Sequence, residues 1–322
     1  MTWGGLKMIP EAAEGLFLYA GSVIATLLLR RYRIAQLYRS RGNFDEDDVP
    51  SLSRQKIEFW SQWTGEVCEE ALIVSNWRAL KKQFHTYRCI QGMSYLVPRV
   101  ARHSAYERVL AKFKTSGDIK IADFGCCFGQ DDRKLILDGV PARCITVVDI
   151  HDGYYKAGME LFKDTGSGRL AGIKECWFDI SLPFGHSSSL EAKFPDAEGT
   201  FDFVILQAVL HTMSLEQHRV ALTRILRLLK KESGILLGMT VGAVVAQPWV
   251  RTPDGQAQRY LHSTSSLSAL FTELGYRSSE VVQRDRGGED WGRAQGQGSS
   301  IKSTSEALGG AARAMVEFTA SA

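Results

Sequence analysis

A turn rich in glycine and cysteine, residues 123–131 (DFGCCFGQD), follows a short apolar segment that begins at Lys120. Gly125 and Gly129 let the backbone turn sharply, approach a ligand and admit close packing of the helix that follows. The spacing is Asp-x-Gly-x-x-x-Gly, which lacks the GxGxxG of a pyrophosphate site. Asp123 would repel a phosphate, whereas its carboxylate suits a ligand that carries an ammonium group. The turn therefore predicts either such a ligand or a purely structural connection between strand and helix.

Two further carboxylates stand where later strands of the same sheet would end. Asp149 closes a β-branched segment and lies 20 residues after Gly129, the distance at which an acid accepts ribose hydroxyls in nucleoside sites. Asp179 and Ile180 end the next apolar segment. There a carboxylate can accept a hydrogen bond from the adenine amino group while the apolar side chain covers the ring. The alternative for Asp179 is a helix N-cap or turn residue.

The three acids together, with no basic side chain in the turn, favour an adenosine ligand without phosphate, and S-adenosylmethionine is such a ligand. An NAD-dependent oxidoreductase is the alternative enzyme, but it would need a phosphate-binding turn. A non-catalytic scaffold with a degenerate cofactor site also stays open because of Cys127. The 39 Lys and Arg residues against 36 Asp and Glu predict no nucleic-acid partner. The six cysteines lack zinc spacing, so no metal site is predicted.

His211 is the best candidate for a catalytic side chain, because it follows the fourth predicted strand, where an acceptor could meet the methyl group. A hydroxyl acceptor would benefit from a histidine base, whereas a carboxylate acceptor needs none. The alternative is that His211 only orders its loop. Weaker candidates for the same role are His85, His103 and His262. The aromatic residues that could line an apolar acceptor pocket, or simply form core, are Trp60, Trp63, Tyr95 and Trp249.

The segments between these motifs alternate in period, as expected for strands and helices of one sheet. Segments with strand character are residues 120–124, 143–150, 174–180, 201–206, 235–241, 277–283 and 314–319. Helical periodicity covers most of residues 51–114, and also 217–231 and 264–274. A polar, glycine-rich segment at 284–300 predicts a loop. This alternation predicts an α/β fold with a buried parallel sheet and helices on both faces.

The stretch from Ala122 to Asp164 resembles fungal class I methyltransferases of meroterpenoid and related natural-product pathways, the austinol-type group. Segments 201–218 and 259–263 are similar to that group as well, so the likeness covers about residues 85–280. The matching residues of the long stretch are Gln130, Asp131, Arg133, Lys134, Leu135, Asp138, Gly139, Asp149, Gly158, Leu161, Phe162 and Asp164.

The resemblance implies a class I, Rossmann-like fold: a mostly parallel seven-stranded sheet with helices on both faces and an added N-terminal helical region. It also implies S-adenosylmethionine-dependent O-methylation of a small hydrophobic metabolite, often a carboxylate that becomes a methyl ester. The cofactor residues that it implies are Asp123, Gly125, Asp149, Ile150, Asp179 and Ile180. Cys127 and Gly129 complete the predicted cofactor-binding residues. Cys127 departs from the pattern of the group, since it replaces the middle glycine of the turn.

The N-terminal arm, residues 1–50, contains an uncharged apolar run at 15–29 that is followed at once by Arg30 and Arg31. The run has 15 residues, fewer than the ~20 of a spanning helix. It predicts a buried or dimer-forming helix or, alternatively, weak membrane association with the rest of the chain in the cytosol. We expect a cytoplasmic protein with three parts: this arm, a helical cap or substrate region at 51–114, and the cofactor domain at 115–322.

Overall fold

The computed structural model describes residues 49–50, 52–84, 90, 92–248, 259–284 and 313–322. Pro50–Ala322 forms one compact unit. The apolar run at 15–29, His85, Trp249 and most of the predicted loop at 284–300 lie outside the described residues. No helix in the described ranges is long and apolar enough to cross a membrane.

A seven-stranded sheet organises the chain. Its strands are β1 Ile121–Phe124, β2 Ile145–Asp149, β3 Lys174–Trp177, β4 Phe203–Gln207, β5 Ile235–Ala243, β8 Ser278–Arg284 and β9 Arg313–Ser321. They lie in the order β3-β2-β1-β4-β5-β9-β8, in which the first five pair in parallel and the last two pair antiparallel to their neighbours. Two short strands, β6 Gln247–Pro248 and β7 Tyr260–Leu261, form a separate pair. The predicted α/β fold and its mostly parallel seven-stranded sheet are confirmed.

The third strand is shorter than the sequence predicts. It ends at Trp177, whereas the apolar pattern extended it to Ile180. Two residues after its end, the Asp179 carboxylate accepts hydrogen bonds from the backbone and hydroxyl of Ser181, at 2.8 and 2.6 Å. An aspartate that bonds the backbone two residues on forms a turn, which competes with the extended conformation.

Helices cover both faces of the sheet, as the alternating pattern predicts. On one face α3 (Tyr106–Ser116), α4 (Gln130–Leu137) and α5 (Gly153–Leu161) pack against alternate residues of the strands. On the other face α7 (Leu215–Leu228) and α8 (Thr264–Glu273) bury Leu222, Ile225 and Phe271. The short helix α6 spans Leu190–Lys193. The carboxyl ends of β1, β2 and β4 therefore lie between two apolar layers, which exclude water beneath them.

The N-terminal helices α1 (Arg54–Thr64) and α2 (Glu70–Phe84) belong to the same compact unit as the sheet. Trp60 donates its ring N–H to Leu161 O at 3.0 Å, and Trp63 donates to Asp164 Oδ1 at 2.7 Å. Both tryptophans are at most 1% exposed. They anchor α1 beside α5, so they are core residues and do not line an open acceptor pocket.

Candidate functional site

The glycine turn connects β1 to α4 at the carboxyl edge of the sheet. Gly125 has φ +77°, and its backbone N–H donates to Val148 O at 2.7 Å. A Cβ on Gly125 would lie 2.3 Å from Val209 Cγ2, so only glycine allows the loop after β4 to pack against the turn. Gly129 is the N-cap of α4 and has φ +70°, and a Cβ there would lie 2.7 Å from the Tyr155 ring of α5. Both glycines thus bring neighbouring elements close to the turn.

Cys127 adopts a conformation that usually belongs to glycine, with φ +53°. Its backbone N–H donates to Asp149 Oδ2 at 2.8 Å, and the N–H of Ile150 donates to Asp149 Oδ1 at 2.7 Å. Burial raises the pKa of the Asp149 carboxyl, and these two hydrogen bonds oppose that shift. The carboxylate at the end of β2 is therefore held in one orientation at the glycine turn, with a lone pair left on each oxygen.

The end of β3 comes close to Asp149, because Phe178 N–H donates to Asp149 O at 2.8 Å. Ile150 is 48% exposed at this point. Ile180 is 5% exposed and packs in the core, and Asp179 is engaged with Ser181 as described above. The structure thus places Ile150 and Asp149 together at the surface and directs Ile180 inward.

Beneath the turn lies a group of buried carboxyls that we call the acid cluster: Asp123, Asp131 and Asp132, each at most 1% exposed. Asp131 Oδ1 accepts from Val100 N–H at 2.9 Å. No hydrogen-bond donor among the described residues reaches Asp123 Oδ2 or either oxygen of Asp132. The sequence did not single out Asp132 as a member of this cluster. It is buried because it lies on the side of α4 that packs against the sheet.

Burial is the main cause of the unusual acidity in this cluster. It raises the pKa of Asp123 well above the ordinary range, and the neighbouring charges of Asp132 and Asp131 add to the shift. Burial also raises the pKa of Asp132 to about 7. Two neighbouring buried carboxyls resist ionising together, so the pair keeps a proton to a higher pH than an isolated aspartate would.

The loop after β4 places two polar side chains near the turn. The backbone N–H of His211 donates to Thr240 Oγ1 at 3.1 Å, and the His211 Nδ1 lies 3.2 Å from the same hydroxyl oxygen. Gln207, the last residue of β4, is 4% exposed, and neither its Oε1 nor its Nε2 has a partner in the described part of the chain. Sequence reasoning did not single out Gln207, because one glutamine at a strand end carries no local signal.

A second buried polar group, which we call the histidine pair, lies behind the same loop. His218 Nε2 contacts Leu210 O, His218 Nδ1 lies 3.0 Å from His262 Nε2, and His262 Nδ1 lies 2.9 Å from Ser266 Oγ. Because a carbonyl only accepts, His218 carries its hydrogen on Nε2 and accepts from His262. Burial lowers the pKa of His218 to about 4 and that of His262 to about 3. His262 therefore orders the loop in its neutral form.

These residues fit the adenosine ligand that the sequence predicts. The fixed carboxylate of Asp149 can accept two hydroxyl groups, and the exposed Ile150 beside it offers an apolar surface for a ring. Asp123 Oδ2 is buried without a donor, a state that a ligand ammonium group would relieve. Among the residues that the structure describes, no group of three or more His, Cys, Asp or Glu could hold a metal ion.

The family model described as a methyltransferase domain matches residues 122–237. The O-methyltransferase phiE of a fungal species (strain ATCC 74256) is 31% identical over 193 residues, which are 60% of this chain and 61% of phiE. The O-methyltransferase atr3 of Stereocaulon alpinum is 25% identical, over 76% of this chain and 70% of atr3. Methyltransferase ausD of Penicillium brasilianum is 27% identical, over 58% of this chain and 64% of ausD.

Among solved structures, phosphoethanolamine N-methyltransferase 2 of Haemonchus contortus matches with a TM-score of 0.45 and 15% identity, over 76% of this chain and 59% of that one. The chain spans about three fifths of the length of phiE and of ausD. The domain match begins at the strand that carries Asp123 and ends in β5, so it includes the glycine turn, Asp149 and the loop of His211. Residues 122–237 are therefore similar to a methyltransferase domain, and the chain is similar to fungal O-methyltransferases, in agreement with the resemblance of its glycine-turn sequence.

Proposed function

We propose that the chain transfers a methyl group from S-adenosylmethionine to an oxygen of a small hydrophobic secondary metabolite, with a carboxylate as the acceptor group. The observation that carries the proposal is the Asp149 carboxylate, which two backbone N–H groups hold at the edge of the glycine turn. A carboxylate fixed in this way is preorganised to accept hydrogen bonds from the two hydroxyls of a ribose, and it loses little conformational entropy when it binds them.

The remaining cofactor contacts follow from the positions of the turn and strand ends. Ile150 covers one face of the adenine and the Asp179 carboxylate accepts from the adenine amino group, whereas Ile180 packs in the core beneath. Asp123 receives the ammonium group of the amino-acid tail, while Gly125 and Gly129 let the backbone approach that tail. The buried position of Asp123 beside Asp132 supports this role, because an added positive charge is worth most where water is excluded.

An ionised acceptor needs little chemical help from the protein. A carboxylate is charged at pH 7 and is itself the nucleophile. Its oxygen forms the new O–C bond while the C–S bond of the donor sulfonium breaks and the electron pair stays on sulfur, so no proton moves. The work of the site is to hold the two partners in line and exclude water. His211, which contacts the Thr240 hydroxyl, then positions the acceptor and does not act as a general base.

The relatives support this reaction class. Both phiE and atr3 are named as O-methyltransferases, and nvfJ of Aspergillus novofumigatus is named as a methyltransferase of asnovolin E and chermesin D. Because phiE and ausD extend well beyond the matched part, we propose their activity for this chain by analogy. The charge balance, 39 basic against 36 acidic residues, agrees with a small-molecule partner better than with a nucleic acid.

Calorimetry tests the cofactor assignment directly. S-adenosylhomocysteine should bind the full chain, and NAD should not. Asp149→Ala should lose about 2–3 kcal/mol, or roughly 30- to 150-fold in affinity. Asp152→Ala is the matched control, because Asp152 lies three residues later, its side chain is 42% exposed and it pairs with Lys156. Unchanged affinity in a folded Asp149→Ala would refute the assignment.

A labelled methyl donor tests the acceptor class. We would offer hydrophobic acids beside matched alcohols, such as farnesoic acid with farnesol and 1-naphthoic acid with 1-naphthol. The acids should be methylated, and the rate should stay flat across the range in which imidazole titrates, about pH 6.5. A base role for His211 would instead appear as a 10²–10⁴-fold loss in His211→Ala together with an acidic limb in the wild-type profile that the variant lacks.

The location of the protein is a separate part of the proposal. The arginines that follow the apolar run at 15–29 support a cytoplasmic chain that contacts membranes weakly from the cytosolic side, or that pairs with a second copy through this run. Flotation of the full chain with vesicles that contain anionic lipid, beside its mass in solution, separates the two. An Arg30→Glu, Arg31→Glu variant should lose vesicle binding and keep any dimer.

A further inference from the structure

Gln207 is buried at the carboxyl end of the central strand with its whole amide group unsatisfied. Its side chain is 4% exposed, and neither amide atom has a hydrogen-bond partner within the described residues. Nearly all buried polar side chains are hydrogen-bonded, so a side chain with both ends unpaired calls for a partner that binds from outside. A neutral amide neither accepts nor releases a proton at physiological pH, so its role is to hold a polar group and not to act on it.

The position of Gln207 lies at the boundary between the two halves of the sheet. Ile205 is the last residue of β4 that pairs with β1, where it lies opposite Asp123. Gln207 extends two residues beyond that pair and is matched on its other side by Met239 of β5. The strand order reverses at β1 and β4, and ligands of open α/β sheets bind outside that point.

The donor side of this boundary already has its polar groups. The glycine turn and Asp149 belong to β1 and β2, and the unsatisfied oxygen of Asp123 matches the ammonium group of the donor tail. Gln207 belongs instead to the half of β4 and β5, together with His211 and Thr240. By the alternation of the strand, its side chain follows Phe203 and Ile205 toward the face that α3 and α4 cover.

We infer that Gln207 is the residue that positions the acceptor, its Nε2–H donating to one oxygen of the acceptor carboxylate while the other oxygen attacks the methyl group. This inference rests on the proposed function and deepens it, since it names the group that would select an acid over an alcohol. The amide N–H stabilises the anionic oxygen but leaves the carboxylate charged enough to attack. A lysine or arginine at the same place would neutralise the nucleophile.

Two substitutions separate the roles that Gln207 could have. Gln207→Leu keeps the size and removes both polar atoms, and Gln207→Glu keeps the shape and adds a charge that repels a carboxylate. Gln283→Leu is the control, because it makes the same change on an exposed position of β8. The readouts are the affinity for S-adenosylhomocysteine by calorimetry and kcat/KM for farnesoic acid and farnesol with labelled donor.

The expected result is a split between the two ligands. Gln207→Leu should bind S-adenosylhomocysteine within about twofold of wild type and lose at least tenfold in kcat/KM for farnesoic acid. Gln207→Glu should lose more on the acid and little on the alcohol. If the wild type methylates neither compound, the affinity of farnesoate for protein saturated with S-adenosylhomocysteine provides the same comparison.

Three results would overturn the inference. An equal loss of S-adenosylhomocysteine affinity would mean that Gln207 contacts the donor tail. An equal loss on farnesoic acid and farnesol, or no loss on either, would mean that its role is structural. A wild type that binds no S-adenosylhomocysteine would instead refute the proposed function, so the two failures are distinguishable.

Discussion

The histidine pair and the acid cluster are both buried polar groups near the loop after β4, yet their hydrogen bonding is opposite. Every ring nitrogen of His218 and His262 has a partner, along a chain from Leu210 O to Ser266 Oγ. In the acid cluster, Asp123 Oδ2 and both oxygens of Asp132 lack donors from the rest of the described chain. A satisfied network rigidifies a fold, whereas an unsatisfied one is stabilised when a ligand completes it.

The two groups also respond to pH in opposite directions. The pKa of His218 is lowered to about 4, so the unfolded state gains its proton first and this contribution to stability is lost as pH falls from about 6.5 toward 4. The pKa of Asp132 is raised to about 7, so the folded state gains its proton first and stability rises over the same fall in pH. Since the two trends oppose each other, variants must be compared with wild type at each pH.

The largest expected effect comes from breaking the satisfied network. His218→Phe should lower the free energy of unfolding by about 3 kcal/mol at pH 7.5, because Leu210 O and the His262 ring are left unpaired. The difference from wild type should narrow as pH falls from 6.5 to 4. Denaturant unfolding measures it, and S-adenosylhomocysteine affinity should stay within a few-fold. A tenfold loss of affinity would place the histidine pair in the ligand site.

Relieving the unsatisfied cluster should have the opposite sign. Asp132→Asn keeps the shape, removes a buried charge and gives Asp123 a donor, so unfolding at pH 8 should cost about 1–2 kcal/mol more than in wild type. At pH 5, where both Asp123 and Asp132 are largely protonated, the gain should disappear. The control is Asp138→Asn, whose carboxylate is partly exposed and pairs with Lys134. A loss of stability at pH 8 would show that the cluster is already satisfied.

Ligand binding should release a proton from the same cluster. If the donor ammonium pairs with Asp123, the proton held by the acid cluster leaves. The affinity for S-adenosylhomocysteine should then rise as pH increases through the range in which the cluster titrates, by up to tenfold, or about 1.4 kcal/mol, per pH unit. Calorimetry in phosphate and in Tris counts the released protons from the difference in heat. Asp123→Asn should abolish that difference, and 5′-methylthioadenosine, which lacks the ammonium group, should show none.

The smallest effect is expected at Cys127. A non-glycine residue at φ +53° is strained, so Cys127→Gly should raise the free energy of unfolding by up to about 1 kcal/mol. Glu232→Gly, with φ +67° at an exposed position, is the matched control for the strain alone. Only Cys127→Gly should also change cofactor affinity, upward, because it removes a side chain from the turn. A lower affinity would mean that the thiol contacts the ligand.

Much of the site could be predicted because its parts are local in sequence. The glycines of the turn, the carboxylate at the end of β2 and the strand pattern all follow from backbone rules that act over a few residues. The end of β3 could not be predicted, because the Asp179 side chain bonds Ser181 and ends an apolar segment that reads as extended. Ile180 was expected to cover the adenine ring, but it is buried in the core because the same turn directs its side chain inward.

The amino-acid sequence by itself determined the fold class, the order of its strands and helices, and the turn that marks the ligand edge, because periodicity and glycine placement act along the chain. Only the tertiary structure decided which buried polar atoms have partners. His218 meets His262 across 44 residues, and the side chains of Gln207 and Asp132 find no hydrogen-bond partner among the described residues that pack around them. Hydrogen-bond satisfaction in a core is a property of non-local neighbours, and no local pattern encodes it.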